Sequence, residues 1–282
     1  MNIRQLRIAS KEKLSAAGSE SPAADVDCLL SEAFGKDRAW FMIHDTDEPP
    51  SDKLNAFKTM LERRIKGEPI AYITGYREFW SLRLKCSPAT LIPRPDTETL
   101  VEEAIRYLAD IARLNCAPRV LDLGTGTGAI ALAIKSEIAD ADVYGADFNP
   151  DAVSLAKVNA ESHRLSVNFI ESDWFSKVQG TFDLIVANPP YIADGDEHLS
   201  LGDVRFEPKT ALISGSDGLD DIRIIASESQ KHLAAGGAIM LEHGWNQGLA
   251  VQKILMSEGY ECVRTVRDLG GNDRVTTGRI AK

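Results

Sequence analysis

A chain of 282 residues suffices for one large domain or for a medium and a small one, and 44% hydrophobic with 26% charged residues is the balance of an ordinary globular protein. The net charge of −10 argues against a broad basic face that holds nucleic acid by neutralising phosphates, and moves the expected partner toward a protein or small molecule. Cys28, Cys86, Cys116 and Cys262 form no CxxC pair and the five histidines no HExxH spacing, so neither a metal site nor a disulfide framework is expected.

The N-terminus runs from Met1 straight into an amphipathic pattern without the apolar stretch of a signal peptide. No later run is long enough to span a bilayer, so a cytoplasmic protein without a membrane partner is expected. Leu6, Ile8 and Leu14 begin a first helical stripe. Ser21-Pro22 with Asp25 opens a second helix through Leu29, Leu30 and Phe34, and a third short one is read over 38–44. Pro49-Pro50-Ser51 then breaks the chain and starts a helix carrying Leu54, Phe57, Met60, Leu61 and Ile65. This small helical bundle contains no catalytic motif.

Between Gly67 and Pro95 the pattern changes. Residues 78–86 alternate large apolar and polar side chains as a strand or hairpin does, and Pro88, Pro93 and Pro95 punctuate an extended segment. Asp96 or Thr97 then caps a helix through Leu108. From Arg119 onward strands alternate with helices: strands at 120–123, 143–147, 167–170, 182–187 and 238–242, and helices at 219–233 and 247–257. Two last strands, 260–266 and 274–280, flank Gly270-Gly271-Asn272-Asp273, a turn short enough for an antiparallel pair. The alternation implies a parallel sheet covered on both faces. The resulting division is a helical domain over 1–70, a hairpin and extended linker over 71–95, and an α/β domain over 96–282.

Two motifs carry chemistry. Asp122-Leu123-Gly124-Thr125-Gly126-Thr127-Gly128 follows a strand and opens a helix, where glycines let the backbone turn tightly and approach a ligand. Asp147 ends the next strand, placed to accept ribose hydroxyls. Gly124, Gly126 and Ala129 also satisfy a dinucleotide pattern, so this turn alone does not choose between NAD and S-adenosylmethionine. Asn188-Pro189-Pro190-Tyr191 follows a strand, at the carboxyl end where open α/β sheets bind ligands. Its prolines stiffen the backbone and leave carbonyls free, Asn188 adds a side-chain acceptor and Tyr191 a flat face. Two acceptors, the Asn188 side chain and the Pro189 carbonyl, suit both hydrogens of an NH2 group on a planar system. That chemistry fits a methyl transfer and points to S-adenosylmethionine.

At these residues the sequence resembles the PrmC/HemK family, the release factor glutamine methyltransferases. The likeness includes YITGYREFW (72–80), SPATLIPRPDTE (87–98), Asp122 to Gly128, Ser172-Asp173-Trp174-Phe175, Asn188 to Tyr191, DVRFEPKTAL (203–212) and Leu241 to Gly244. The resemblance implies a Rossmann-like class I methyltransferase domain with a seven-stranded mixed sheet, preceded by the helical domain and a connecting β-hairpin. It makes Gly124, Thr125, Gly126, Thr127 and Gly128 the loop around the methionine part of S-adenosylmethionine, with Asp147 on the ribose and Trp174 bordering the adenine. Asn188, Pro189, Pro190 and Tyr191 become substrate-binding, with Asn188, Pro189 and Tyr191 catalytic and Asn188 also beside the cofactor. The implied reaction methylates N5 of the glutamine in the Gly-Gly-Gln motif of class 1 peptide chain release factors and yields S-adenosylhomocysteine, without metal. A monomer with no direct nucleic-acid partner is expected. NPPY is shared with N6-adenine methyltransferases of DNA and RNA, and a ribosomal-protein glutamine methyltransferase is a second relative; both stay open as alternatives. Arg94, Asp96 and Glu98 are read as bracing the hairpin, and Asp194, Asp196 and Glu197 as a solvated loop.

Overall fold

Five helices build the first part of the chain: α1 (Ile3–Ala16), α2 (Pro22–Phe34), α3 (Arg38–Ile43), α4 (Ser51–Ile65) and α5 (Ile70–Thr74). The structure is a computed structural model that describes residues 1–112 and 117–281, so Cys116 lies outside the described residues. Asn2 and Gln5 close a reciprocal capping box at the start of α1, satisfying donors that the first helical turn leaves free. Pro22 occupies the first turn of α2, where a missing N–H costs nothing, and Gly35 ends it in the left-handed conformation. Leu14, Leu29, Leu30, Phe41 and Phe57 form a core of their own, each almost fully buried. Helix α5 was not anticipated; its five residues are too short for an apolar period to show.

Packing divides the chain into two units, one of Met1–Tyr76 with Ser200–Phe206 and one of Arg77–Leu199 with Glu207–Lys282. Within the first, Arg64 is nearly buried and reaches both Asp25 and Asp203 at 2.8 Å, so the 200–206 segment is tied to α2 and α4.

Strands β1 (Tyr76–Phe79) and β2 (Leu82–Lys85) form a hairpin. Its turn residues Trp80 and Ser81 both have positive φ, the turn geometry that matches strand twist. Glu98 accepts the Trp80 backbone N–H at 3.0 Å, which is the bracing role expected of it. A 3₁₀ turn, Pro95–Thr97, then leads into α6 (Glu98–Ala112).

The sheet is built from β3 (Arg119–Leu123), β4 (Asp142–Asp147), β5 (Asn168–Glu171), β6 (Phe182–Ala187), β7 (Leu233–Glu242), β8 (Glu261–Arg267) and β9 (Asp273–Arg279). Helices α7 (Ala129–Glu137), α8 (Pro150–His163), α9 (Asp220–Ser229) and α10 (Gly248–Ser257) connect them. The order is β5-β4-β3-β6-β7-β9-β8, parallel through β7 and antiparallel for β9 and β8. Alternate residues of each central strand face opposite sides: Val120, Leu184 and Val186 enter one core, Leu121, Leu123, Ile185 and Ala187 the other. This is the expected α/β class with seven strands and a final antiparallel pair. Strand β7 begins five residues earlier than read, at Leu233, because α9 stops at Ser229 and the irregular pairing around Phe182 and Leu184 absorbs Gly236 and Gly237.

The strand order reverses at β3 and β6. From β3 the chain moves outward through β4 and β5, then returns to place β6 on the other side of β3. Leu123 and Ala187 pair in register at the carboxyl ends of these strands. The next residue of each strand, Gly124 or Asn188, therefore emerges beside the other, at the switch point where such sheets hold ligands.

Candidate active site

A cavity of about 590 Å³ opens at this switch point, within the size range of small-molecule sites. Gly124 to Thr127, Asp147, Trp174, Asn188 and Pro190 line it; Gly128, Pro189 and Tyr191 are not among its lining residues.

The glycine-rich wall owes its shape to three left-handed glycines, Gly124, Gly126 and Gly128. Asp122, wholly buried at the strand end, accepts the Thr125 hydroxyl at 2.6 Å and the Ala131 N–H at 3.2 Å, pinning both ends of the turn. Burial pushes its carboxyl up to about 7, against those two bonds. Asp147 accepts the Gly126 N–H on one oxygen and the Asn149 N–H on the other, both at 2.9 Å. Burial raises its pKa while the two backbone donors oppose the rise. Each oxygen keeps a second lone pair for a ligand hydroxyl. Trp174 has a left-handed backbone, fixed where the Ser172 hydroxyl donates to its carbonyl at 2.8 Å.

The opposite wall is the NPPY segment. Asn188 donates from Nδ2 to the Thr97 hydroxyl at 3.2 Å, whereas its Oδ1 is buried without any hydrogen-bond partner. A buried acceptor left open costs free energy, so its presence beside a cavity marks a place for a ligand donor. The Tyr191 hydroxyl lies 3.4 Å from Glu242 Oε1. Burial, reinforced by the Glu242 charge, drives that phenol's pKa up.

Several residues of the site escaped the sequence reading. Ala89, Thr90, Leu91 and Pro93, assigned to a linker, line the cavity, as does Thr97, read only as a helix cap. Asn149 donates to the Ala89 carbonyl at 3.0 Å and ties that wall to α8. Glu207 is buried, accepts the Ile92 N–H at 3.1 Å and pairs with Arg94. The density of prolines and charges over 87–98 was the available signal. Asp96, read with the hairpin, instead lies 3.2 Å from Arg274 on β9. Among the described residues no histidine or cysteine lines the cavity, and burial pushes the Cys86 thiol up to about 12. Among the described residues no group of three or more His, Cys, Asp or Glu could hold a metal ion, and no helix is long and apolar enough to cross a membrane.

A seven-stranded sheet of this order, with a glycine-rich turn and an NPPY segment at its switch point, places the chain among the Rossmann-like methyltransferases. A methyltransferase of Pyrococcus furiosus has the same fold, with a TM-score of 0.55 over 80% of this chain and all of that one at 18% identity. Residues 5–75 match the PrmC N-terminal domain and residues 98–211 the methyltransferase small domain. The release factor glutamine methyltransferase of Aliivibrio fischeri is 47% identical, covering 99% of this chain and 98% of its own. Those of Escherichia coli (49%, covering 93% of each chain) and Vibrio cholerae (48%, covering 96% of this chain and 94% of its own) agree. The chain belongs to the release factor glutamine methyltransferase family.

Proposed function

We propose that the protein transfers a methyl group from S-adenosylmethionine to the side-chain amide nitrogen of a glutamine in a peptide chain release factor, the one in its Gly-Gly-Gln motif. The buried, unpartnered Oδ1 of Asn188, a residue that lines the same cavity as the glycine-rich turn and Asp147, is the observation that carries this reading. The cavity fits the cofactor in kind: left-handed glycines with no side chain to obstruct approach, a carboxylate with free lone pairs and an indole at its edge. Gly124 to Gly128 would take the methionine part, Asp147 the ribose hydroxyls and Trp174 the border of the adenine. When bound, S-adenosylmethionine supplies an electrophilic methyl on a sulfonium that leaves readily.

The protein's own work is placement. A primary amide has a delocalised lone pair and is a poor nucleophile, so orientation must supply much of the rate. Asn188 Oδ1 accepts one amide hydrogen, and the Pro189 carbonyl, between two residues of the cavity wall, accepts the other. Both hydrogens are then held back and the lone pair is turned toward the methyl. The attacking nitrogen becomes cationic and strongly acidic, so its proton departs without a dedicated base. The family assignment favours this substrate over an adenine base.

The test uses purified protein, radiolabelled S-adenosylmethionine and release factors as substrates. Label should enter the native factor and be absent from the form whose motif glutamine is alanine. Equal labelling of both, or label in nuclease-sensitive material, overturns the reading.

A further inference from the structure

A helix can close on a backbone turn where no side chain stands between them. A Cβ on Gly128 would lie 3.3 Å from the Ala156 Cβ on α8, so the bare glycine lets that helix approach the glycine-rich turn. Asn159 stands three residues after Ala156, on the same face of α8, and is wholly buried.

Both ends of its amide are engaged. Oδ1 accepts the Lys85 N–H at 2.8 Å, while Nδ2 donates to the Lys85 carbonyl at 3.1 Å and to the Thr127 carbonyl at 2.9 Å. A backbone N–H only donates and a carbonyl only accepts, so these three partners leave the amide a single orientation. The two bonds to Lys85 copy those of a neighbouring strand and satisfy the backbone at the end of β2. The third reaches into the glycine-rich turn, where Thr127 lines the cavity.

The contact is supported on either side. His163, one helical turn further along α8, donates from Nε2 to the Arg83 carbonyl at 3.1 Å. One helical turn and two strand residues both advance by about 6–7 Å, so helix and strand run antiparallel and in step. At the other end of α8, Asn149 holds the Ala89 carbonyl. Residues 83–89 are thus laid along α8, and the chain that leaves them supplies Thr90, Leu91 and Pro93 to the cavity.

We propose that Asn159 is a positioning residue for cofactor binding, whose amide joins the glycine-rich turn to β2 so that the turn and the 87–93 segment are set as one piece. The proposal rests on the glycine-rich turn holding S-adenosylmethionine. A ligand that meets a turn already ordered loses less conformational entropy on binding. Such coupling is reciprocal, so a ligand on the turn also steadies β2.

The experiment uses S-adenosylhomocysteine as the probe and reads Kd by calorimetry, kcat at saturating cofactor, melting temperature and amide hydrogen exchange. Asn159→Ser, too short to reach both partners, should weaken Kd by about 10-fold, the scale of a buried acceptor left open. Its kcat at saturating cofactor should stay within about 3-fold of the wild type. Asn159→Asp keeps the Lys85 N–H but turns an oxygen on two carbonyls, and should weaken Kd at least as much. Tyr260→Phe controls for stability alone: it removes a 2.8 Å bond to the Ala226 carbonyl in the other core and should leave Kd unchanged. In the wild type, S-adenosylhomocysteine should slow exchange of the Lys85 N–H, although Lys85 does not line the cavity. In Asn159→Ser that slowing should vanish. An unaltered Kd in Asn159→Ser, an equal loss in Tyr260→Phe, or wild-type Lys85 exchange that ignores the ligand overturns the proposal, and the last needs no variant to fold. A wild type that binds the probe but leaves release factors unlabelled overturns the substrate reading alone; one that does not bind the probe overturns both.

Discussion

Asp122 and Glu242 are both fully buried acids pushed up to about 7, one beside each wall of the cavity, yet they recruit their partners differently. Asp122 draws on Thr125 and Ala131, three and nine residues away, and so shapes a single turn. Glu242 meets the Tyr191 hydroxyl and is faced by Arg274, groups brought together only by the folded sheet. Asp122 thus pins the glycine-rich turn locally, by bonds made where a strand meets a helix. The NPPY wall is a tertiary device, held by contacts to the turn before α6 and to β7.

The largest test of this contrast is Asn188→Ala. Loss of the open acceptor should lower kcat by about 10²- to 10³-fold with cofactor Kd nearly unchanged. Matching losses in rate and cofactor affinity would show the two walls are not separable. Asp147→Ala should do the reverse, weakening cofactor Kd by about 10- to 100-fold, the scale of hydrogen bonds to a charged group. An unchanged Kd by calorimetry removes Asp147 from the ribose.

A smaller effect concerns stability against pH. The folded-state pKa of Asp122 is raised, so the folded protein keeps a proton that the unfolded chain releases between about pH 4 and 7. Its contribution is fully present below pH 4 and is lost as pH rises to 7. Asp122→Asn keeps an acceptor for Thr125 and Ala131 without that titration. The variant should gain on the wild type from pH 4 to 7, by of the order of 1–3 kcal/mol, and level off above. A difference in chemical-denaturation stability that is flat across this range would place the charge elsewhere. Smallest of all is Arg223→Ala, whose exposed pairs with Asp217 and Asp220 touch neither wall. Its melting temperature should stay within about 1 °C, which sets the scale for the rest.

The same contrast explains what the sequence revealed. The glycine-rich turn, Asp147 and NPPY were legible because each is a short string whose residue types announce a backbone shape or an acceptor. Strand alternation, from Val120 to Ala187, exposed the sheet in the same way. Thr97 was visible only as a helix cap, because its contact with the Asn188 amide is made by the fold and no spacing along the chain encodes it. Asn149 could not be placed at the site for a similar reason: its partner, the Ala89 carbonyl, is sixty residues away. Tyr191 was read as a flat cover for the substrate, but its hydroxyl is directed at Glu242 and it does not line the cavity.

Because Ser200–Phe206 packs with the helical unit while its flanks belong to the other, the polypeptide crosses between the two units three times. Cutting the chain after Tyr76 would not yield a clean catalytic fragment. It would strand Asp203 without Arg64, its partner on α4. Any exchange of the N-terminal helices between relatives must carry a matching 200–206 insert, so the two stretches should be inherited as one module.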